Sequence, residues 1–134
     1  MAPPDARVED TAERPAVPFR FEGLTARAQF LAAARGPWKA MPGLVLQGRE
    51  AAGDKGRAPE AIRVGFTCSK KVGNAVARNR AKRRLRDVAR QTLPAQGRPG
   101  WDYVLIGRHD ATADMPFEAL LSDLGGALAK VHGG

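Results

Sequence analysis

One basic stretch with helical periodicity, Lys70 to Arg90, limits the fold and role of this chain more than any other feature. Nine of its 21 residues are Lys or Arg, and only Asp87 is acidic. Small or apolar residues recur on one side of a helical wheel, which predicts a helix from about Asn74 to Leu93 that buries Ala81, Leu85, Val88 and Thr92. Another arc of about 140° is polar and basic and holds Arg78, Asn79, Lys82, Arg83, Arg86 and Arg90, whereas Arg80 and Arg84 lie off it.

This stretch accounts for the whole excess charge of the chain. The net charge is +8, and the stretch alone contributes +8, because the remaining residues include thirteen basic and thirteen acidic ones. A localised excess of this kind predicts a surface that binds a polyanion such as a nucleic acid. A merely solvated basic helix is the alternative. It is disfavoured because like charges at i,i+4 repel each other when no anionic partner is present.

The remaining patterns predict a mixture of helices and strands. Apolar spacings of three and four predict helices from about Thr25 to Arg35 and over Phe117 to Val131, the second capped by Asp114. Alternating or continuous apolar runs predict strands at 44–46, 62–68 and 103–106, the last covered on both faces. The segment 50–59 reads as a long hairpin connection, and Pro94 to Gly100 as a loop that ends the basic helix. The fold class is therefore α/β (α+β), a small mixed sheet with packed helices.

The composition of the chain predicts its domain organisation and its location in the cell. Residues 1–20 are rich in Pro and Ala, and we expect a disordered tail followed by a single domain over 21–134. No apolar run reaches 18 residues, so we expect no membrane span. With a single cysteine, Cys68, and no secretory signal, the chain is expected to be cytoplasmic.

The basic helix and the strand before it carry a recognisable signature. It runs from Gly65 to Lys71, through Gly73-Asn74-Ala75-Val76, to Arg78-Asn79-Arg80 and then Lys82, Arg83 and Arg86. This run closely resembles the signature of the bacterial ribonuclease P protein family. The resemblance extends over about residues 24 to 132 and includes Gln29-Phe30, Leu44-Val45-Leu46 and Asp102 to Ile106.

The resemblance implies a fold, partners and a function. It implies a sheet of the four-stranded type with a left-handed βαβ crossover, against the usual right-handed preference. The chain would be the protein subunit of ribonuclease P. It would bind the catalytic RNA in a 1:1 ratio and would also bind the 5′ leader of precursor tRNA. The RNA subunit, with Mg²⁺, would hydrolyse the phosphodiester that releases the leader. No catalytic or metal-binding residue is expected in the protein.

Site residues follow from the same resemblance. The RNA-binding group would be Lys70, Lys71, Arg78, Asn79, Arg80, Lys82, Arg83 and Arg86. Phe30 would line the leader-binding cleft and stack on a base, although it could also be a core residue. Phe66 could belong to core or cleft, and we favour core. Two positions where many members carry an aromatic residue hold Ala34 and Gln47 here, and Cys68 is expected to be buried filler.

Three other functions were weighed against this one. An independent nuclease would need paired carboxylates or histidines, and the chain has only His109 and His132, while Asp102 is expected to be structural. A phosphate-binding nucleotide loop would need the Walker spacing, which is absent. A generic RNA- or DNA-binding module, such as a ribosomal protein, stays open on composition and is disfavoured only by the long signature.

Overall fold

The structure, a computed structural model, describes residues 20–54, 58–68, 73–108 and 111–133. These ranges contain three helices, α1 (Arg27–Ala34), α2 (Ala75–Gln96) and α3 (Phe117–Val131). They also contain five strands: β1 (Arg20–Gly23), β2 (Trp38–Ala40), β3 (Leu44–Glu50), β4 (Ala61–Thr67) and β5 (Trp101–Gly107). None of the helices in the described ranges is long and apolar enough to cross a membrane. The tail over residues 1–20 lies outside the described residues except for Arg20.

The strands form one mixed sheet in the order β1-β4-β5-β3-β2. β1 and β5 both run parallel to β4, while β3 pairs antiparallel with β5 and with β2. The mixed sheet with packed helices is confirmed, and β4-α2-β5 forms a βαβ unit. Its left-handed sense stays a prediction. β1 and β2 were not predicted, because each is only three or four residues long and shows no alternation of its own.

The predicted hairpin between β3 and β4 is wrong, because β5 lies between these strands. Val104 of β5 is paired with Gln47 on one side and with Gly65 on the other. The reason lies in β5 itself. Tyr103, Val104 and Leu105 are each at most 1% exposed, so the strand is covered on both faces, as predicted, and occupies the centre of the sheet.

Helices cover both faces of the sheet. α2 and α3 pack on one face, where the main core includes Leu46, Ile62, Leu85, Tyr103 and Leu124. α1 covers the other face, with a smaller cluster formed by Leu24, Ala33 and Val104, against which Phe30 and Ile106 pack. This arrangement follows from the alternation along each strand, because successive side chains point to opposite faces.

Two helix boundaries differ from the sequence prediction. α2 continues through Pro94 to Gln96 and ends with the Gly97 amide donating to the Leu93 carbonyl at 2.8 Å. A proline this close to a helix end removes one backbone bond, and the buried Thr92 and Leu93 still hold the last turns on the core. The predicted cap Asp114 is also wrong, because α3 starts after Pro116, which caps it without a side-chain bond.

Candidate RNA interface

The entry into α2 is fixed by three local contacts. Gly73 has a φ of +146°, a conformation that side chains disfavour, and a Cβ there would lie 2.8 Å from that of Ala77. The Asn74 side chain caps the helix by accepting from the Ala77 amide at 2.9 Å. Arg78 donates from Nη1 to the Gly73 carbonyl at 3.0 Å. The start of the basic helix is therefore set before any partner binds.

The buried side of α2 is the one that the sequence predicted. Ala81, Leu85 and Val88 are fully buried, and Thr92 is 5% exposed. The polar and basic arc faces outward, and its members Asn79, Arg83, Arg86 and Arg90 are exposed, while Arg78 and Lys82 are half-buried. We call these six residues the basic face: Arg78, Asn79, Lys82, Arg83, Arg86 and Arg90.

The basic face is poorly neutralised by the protein. Its one ion pair in the described part of the chain joins Arg90 to Asp87 at 3.3 Å, and both side chains are well exposed. No carboxylate of the described ranges lies within 4.0 Å of Lys82, Arg83 or Arg86. The unpaired charges repel one another and favour binding of phosphate groups.

Arg84 belongs to the scaffold and not to the basic face. Its Nη1 donates to the Ala113 carbonyl at 2.7 Å and its Nη2 to the Met115 carbonyl at 2.5 Å. These bonds tie α2 to the segment that precedes α3. The helical wheel correctly separated Arg84 from the basic arc. The sequence could not predict the partners of Arg84, because they are 29 and 31 residues away along the chain.

The strand before α2 supports the basic face from beneath. The Arg86 guanidinium carbon lies 5.5 Å from the centroid of the Phe66 ring, a cation–π contact. Phe66 packs against the main core, so it lies on the α2 side of the sheet, as favoured.

Burial raises the pKa of the neighbouring Cys68 thiol. A bond from the Gly107 amide and the charges of Lys82 and Arg78 act in the opposite direction and lower that pKa. Half-buried Cys68 packs against the same core.

Phe30 lies on the opposite face of the sheet. A Cβ on Gly65 would come within 2.4 Å of Phe30 Cε1 and 3.1 Å of a Leu24 methyl carbon, so the phenyl ring rests directly on the Gly65 backbone. The ring is half-buried. The structure therefore gives Phe30 a packing role and leaves part of its ring accessible beside α1, while separating it from the basic face by the thickness of the sheet.

The predicted site residues Lys70 and Lys71 lie outside the described residues. Arg80 is described and lies off the basic face, as the wheel indicated. Its Nη2 is 4.0 Å from Asp114, and both side chains are more than half exposed. Arg80 lines a surface cavity of about 240 Å³ at the first turn of α2, together with Arg108 and Asp114.

Arg108 is a basic residue that sequence reasoning missed. It follows β5, its amide donates to Thr112 Oγ1 at 2.7 Å, and its Nη1 donates to the Met41 carbonyl at 3.2 Å. A signal was available. Parallel strands end at the same edge of a sheet, so the residue after β5 lies near the end of β4, from which the chain leads into the basic helix.

Asp102 has the structural role that was expected. It is 1% exposed, and its two oxygens accept from Arg63 Nε at 2.7 Å and Arg63 Nη2 at 2.6 Å. Arg49 and Asp54 extend this network with a bond of 2.8 Å. Across the described ranges, no group of three or more His, Cys, Asp or Glu side chains is placed to hold a metal ion.

Comparison with known proteins gives one consistent result. The family model described as Ribonuclease P matches residues 20–132. The chain is 61% identical over 109 residues to the "Ribonuclease P protein component" of Ruegeria pomeroyi, covering 81% of this chain and 85% of that one. It is 51% identical over 114 residues to the protein of the same name from Paramagnetospirillum magneticum, covering 84% of each.

Solved structures agree on the fold. The RNase P protein of Staphylococcus aureus superposes with a TM-score of 0.64 at 25% identity, covering 83% of this chain and 94% of that chain. The RNase P protein from Thermotoga maritima gives a TM-score of 0.56 at 24% identity, over 73% of this chain and 86% of that one. The second likeness concerns the fold alone.

Proposed function

Since this chain belongs to the ribonuclease P protein family, we propose that it acts as the protein component of ribonuclease P. In that role it assists the endonucleolytic removal of the 5′ leader from precursor tRNA, which gives the mature 5′ end. It acts in the cytoplasm, as one protein bound to one RNA subunit. The family match covers residues 20–132, which is nearly all of the described chain.

The observation that carries the proposal is the basic face of α2. Four of its arginines project from one side of a helix whose other side is anchored in the core, and an anionic partner is needed to relieve their repulsion. A guanidinium group binds phosphate oxygens through a planar fork and stays charged at any physiological pH. We assign the basic face, with Arg80 and the two lysines Lys70 and Lys71, to contacts with the RNA subunit.

The protein's part in the reaction is to bind and position, while the RNA subunit carries the chemistry. Mg²⁺ acts through the RNA, where it supports hydrolysis of the phosphodiester. If binding releases the counterions of about five RNA phosphates, a plot of log affinity against log salt concentration has a slope of about −3.5 for a single-stranded target. We call this the salt slope. Phe30 and the surface between α1 and the sheet then receive the single-stranded leader, with the half-buried ring stacking on a base.

Two rival functions make different predictions. An independent nuclease would cleave precursor tRNA without the RNA subunit. A generic RNA-binding module would bind many RNAs through the same basic face but would not stimulate this one reaction. Both rivals would share the electrostatics of α2, so only a functional assay separates them from the proposal.

The test is cleavage of precursor tRNA at low Mg²⁺ by three preparations: the protein alone, a bacterial ribonuclease P RNA alone, and both together. The proposal expects cleavage only in the mixture, or far faster there. Cleavage by the protein alone would overturn the assignment of the chemistry to RNA. An absence of stimulation would reduce the protein to an RNA-binding module.

A further inference from the structure

Among the side chains that the structure describes, Trp38 is the most exposed aromatic residue. Its side chain is 63% exposed, whereas large hydrophobic residues are usually buried at least in part. It begins β2, which forms one edge of the sheet. Nothing in the basic face of α2 or in the core accounts for an indole group at this position.

The register of the sheet places Trp38 on the same face as Phe30. Trp38 is opposite Gln47, Gln47 is opposite Val104, and Val104 is opposite Gly65, on which the Phe30 ring rests. Directly opposed side chains share a face. Three strand spacings separate Trp38 from Gly65, which is about 14 Å. Because α1 covers Val104 between them, a single strand that touches both rings passes around α1.

The backbone around Trp38 is fixed in advance. The Gly48 amide donates to the Pro37 carbonyl at 3.0 Å, and the Met41 amide donates to the Leu44 carbonyl at 2.8 Å. A Cβ at Gly36 would lie 2.1 Å from the Gly48 carbonyl oxygen, so the turn after α1 lies directly against β3. The backbone that carries Trp38 therefore loses little conformational freedom on binding.

The chain around Trp38 has the charge that suits a polyanion. From Gly23 to Gly48 it contains three basic residues, Arg27, Arg35 and Lys39, and no Asp or Glu. Lys39 is opposite Leu46 of the main core and so lies on the other face of the sheet from Trp38. Arg27 and Arg35, at the two ends of α1, are exposed. These two arginines are separate from the basic face, which lies on the other side of the sheet.

We propose that Trp38 is a second stacking residue for single-stranded RNA, and that it binds the leader of precursor tRNA farther along the face from Phe30. This inference rests on the proposed function. Stacking on an indole tolerates every base, because every base has a π face. Trp38 would therefore add affinity for the leader without selecting its sequence.

The first test compares the affinity of the reconstituted particle for precursor tRNA with its affinity for mature tRNA. Trp38→Ala is expected to weaken precursor binding by about fivefold or more and to leave mature tRNA unaffected. Trp38→Phe keeps a ring and should retain most of the affinity. Thermal unfolding of each variant shows that an exposed substitution has left the fold intact.

Fluorescence supplies a second, direct readout. The chain has two tryptophans, and Trp101 packs against His132 and the core, with ring centroids 4.3 Å apart. Trp38 is the more exposed of the two, and a base stacked on its ring should quench its emission. Precursor tRNA should therefore lower the emission of the particle, while mature tRNA should not. In Trp38→Phe the quenching should disappear.

The outcomes separate the two claims. One outcome overturns the inference but not the proposed function. In it the unsubstituted particle prefers precursor tRNA, Trp38→Ala keeps the same preference, and precursor tRNA does not quench the emission of Trp38. Equal losses for both tRNAs, or a change in oligomeric state with Trp38→Ala, would also overturn the inference, the latter by showing a protein interface. A particle with no preference for precursor would overturn leader binding and this inference together.

Discussion

The guanidinium group of Arg86 lies over the ring of Phe66, with 5.5 Å between the guanidinium carbon and the ring centroid. Phe66 packs against the main core and Arg86 projects from the basic face. One contact thus couples the core of the sheet to the proposed RNA-binding surface. Because the ring limits where Arg86 can point, it reduces the freedom that Arg86 must lose when it binds phosphate.

Phe66→Leu is expected to weaken binding to the RNA subunit by about two- to fivefold, the equivalent of an exposed cation–π contact. In an Arg86→Ala background the same substitution should have no further effect on RNA affinity. Phe117→Leu is the matched control, because Phe117 also packs against the main core but on α3. Equal losses of RNA affinity in Phe66→Leu and Phe117→Leu would show that only stability had changed.

The Arg63–Asp102 pair should contribute strongly to stability. Asp102→Ala leaves the nearly buried Arg63 without its bidentate partner, and we expect the free energy of unfolding to fall by about 3 kcal/mol. Asp87→Ala removes the exposed partner of Arg90 and should cost less than about 1 kcal/mol. Urea denaturation of both variants tests the contrast, and similar losses would contradict it.

Stability should also depend on pH through His132. Its Nε2 lies 2.7 Å from Tyr103 Oη, which already accepts from the Arg98 amide at 2.9 Å and so is placed to donate to an unprotonated Nε2. Burial, and then the charge of Arg98, lower the pKa of His132 below 6.5, while burial raises the pKa of Tyr103 to about 12.

A lowered histidine pKa means that the unfolded chain binds more protons than the folded one. The stabilising contribution is therefore complete above about pH 6.5 and is lost as the pH falls toward the lowered pKa. The urea midpoint of unfolding, measured between pH 5 and 8, should fall as the pH falls. The fall should be smaller in His132→Gln. His109 is present in the unsubstituted protein and in His132→Gln alike, so its contribution to the pH dependence is common to the two profiles. An unchanged pH profile in His132→Gln would assign the decline to other groups.

The α2 helix and its two sides could be predicted because both depend on local periodicity. Ala81, Leu85 and Val88 fall on one stripe in the sequence and are fully buried in the structure. The same holds for β5, where a continuous apolar run predicted a strand covered on both faces. Local patterns are reliable here because burial on one or two sides imposes a fixed spacing on the sequence.

Features that depend on distant partners could not be predicted. The placement of β5 between β3 and β4 is decided by tertiary packing, and so is the pairing of Arg84 with the carbonyls of Ala113 and Met115. The aromatic residues absent at Ala34 and Gln47 looked like losses from the cleft. Only the register shows that Trp38 lies directly opposite Gln47 on the same face.

Phe30 should distinguish precursor from mature tRNA. Phe30→Leu keeps an apolar side chain over Gly65 but removes the aromatic ring, so we expect the particle to lose about fivefold or more in precursor affinity. Binding of mature tRNA, which has no leader, should not change. Unfolding measurements provide the control for packing. Equal losses for both tRNAs would leave Phe30 with a packing role alone.

The adjacent residues Arg83 and Arg84 should separate binding from folding. Arg83 is exposed and has no carboxylate within 4.0 Å in the described ranges, so Arg83→Ala should weaken RNA binding and flatten the salt slope by about 0.7 to 1 unit. Arg84→Ala breaks two bonds to the segment before α3, so it should lower stability while leaving the slope unchanged. Filter binding across a salt series, with denaturation of each variant, measures both quantities. An unchanged slope in Arg83→Ala would show that Arg83 contacts no phosphate, and a flattened slope in Arg84→Ala would place Arg84 on the RNA-binding surface.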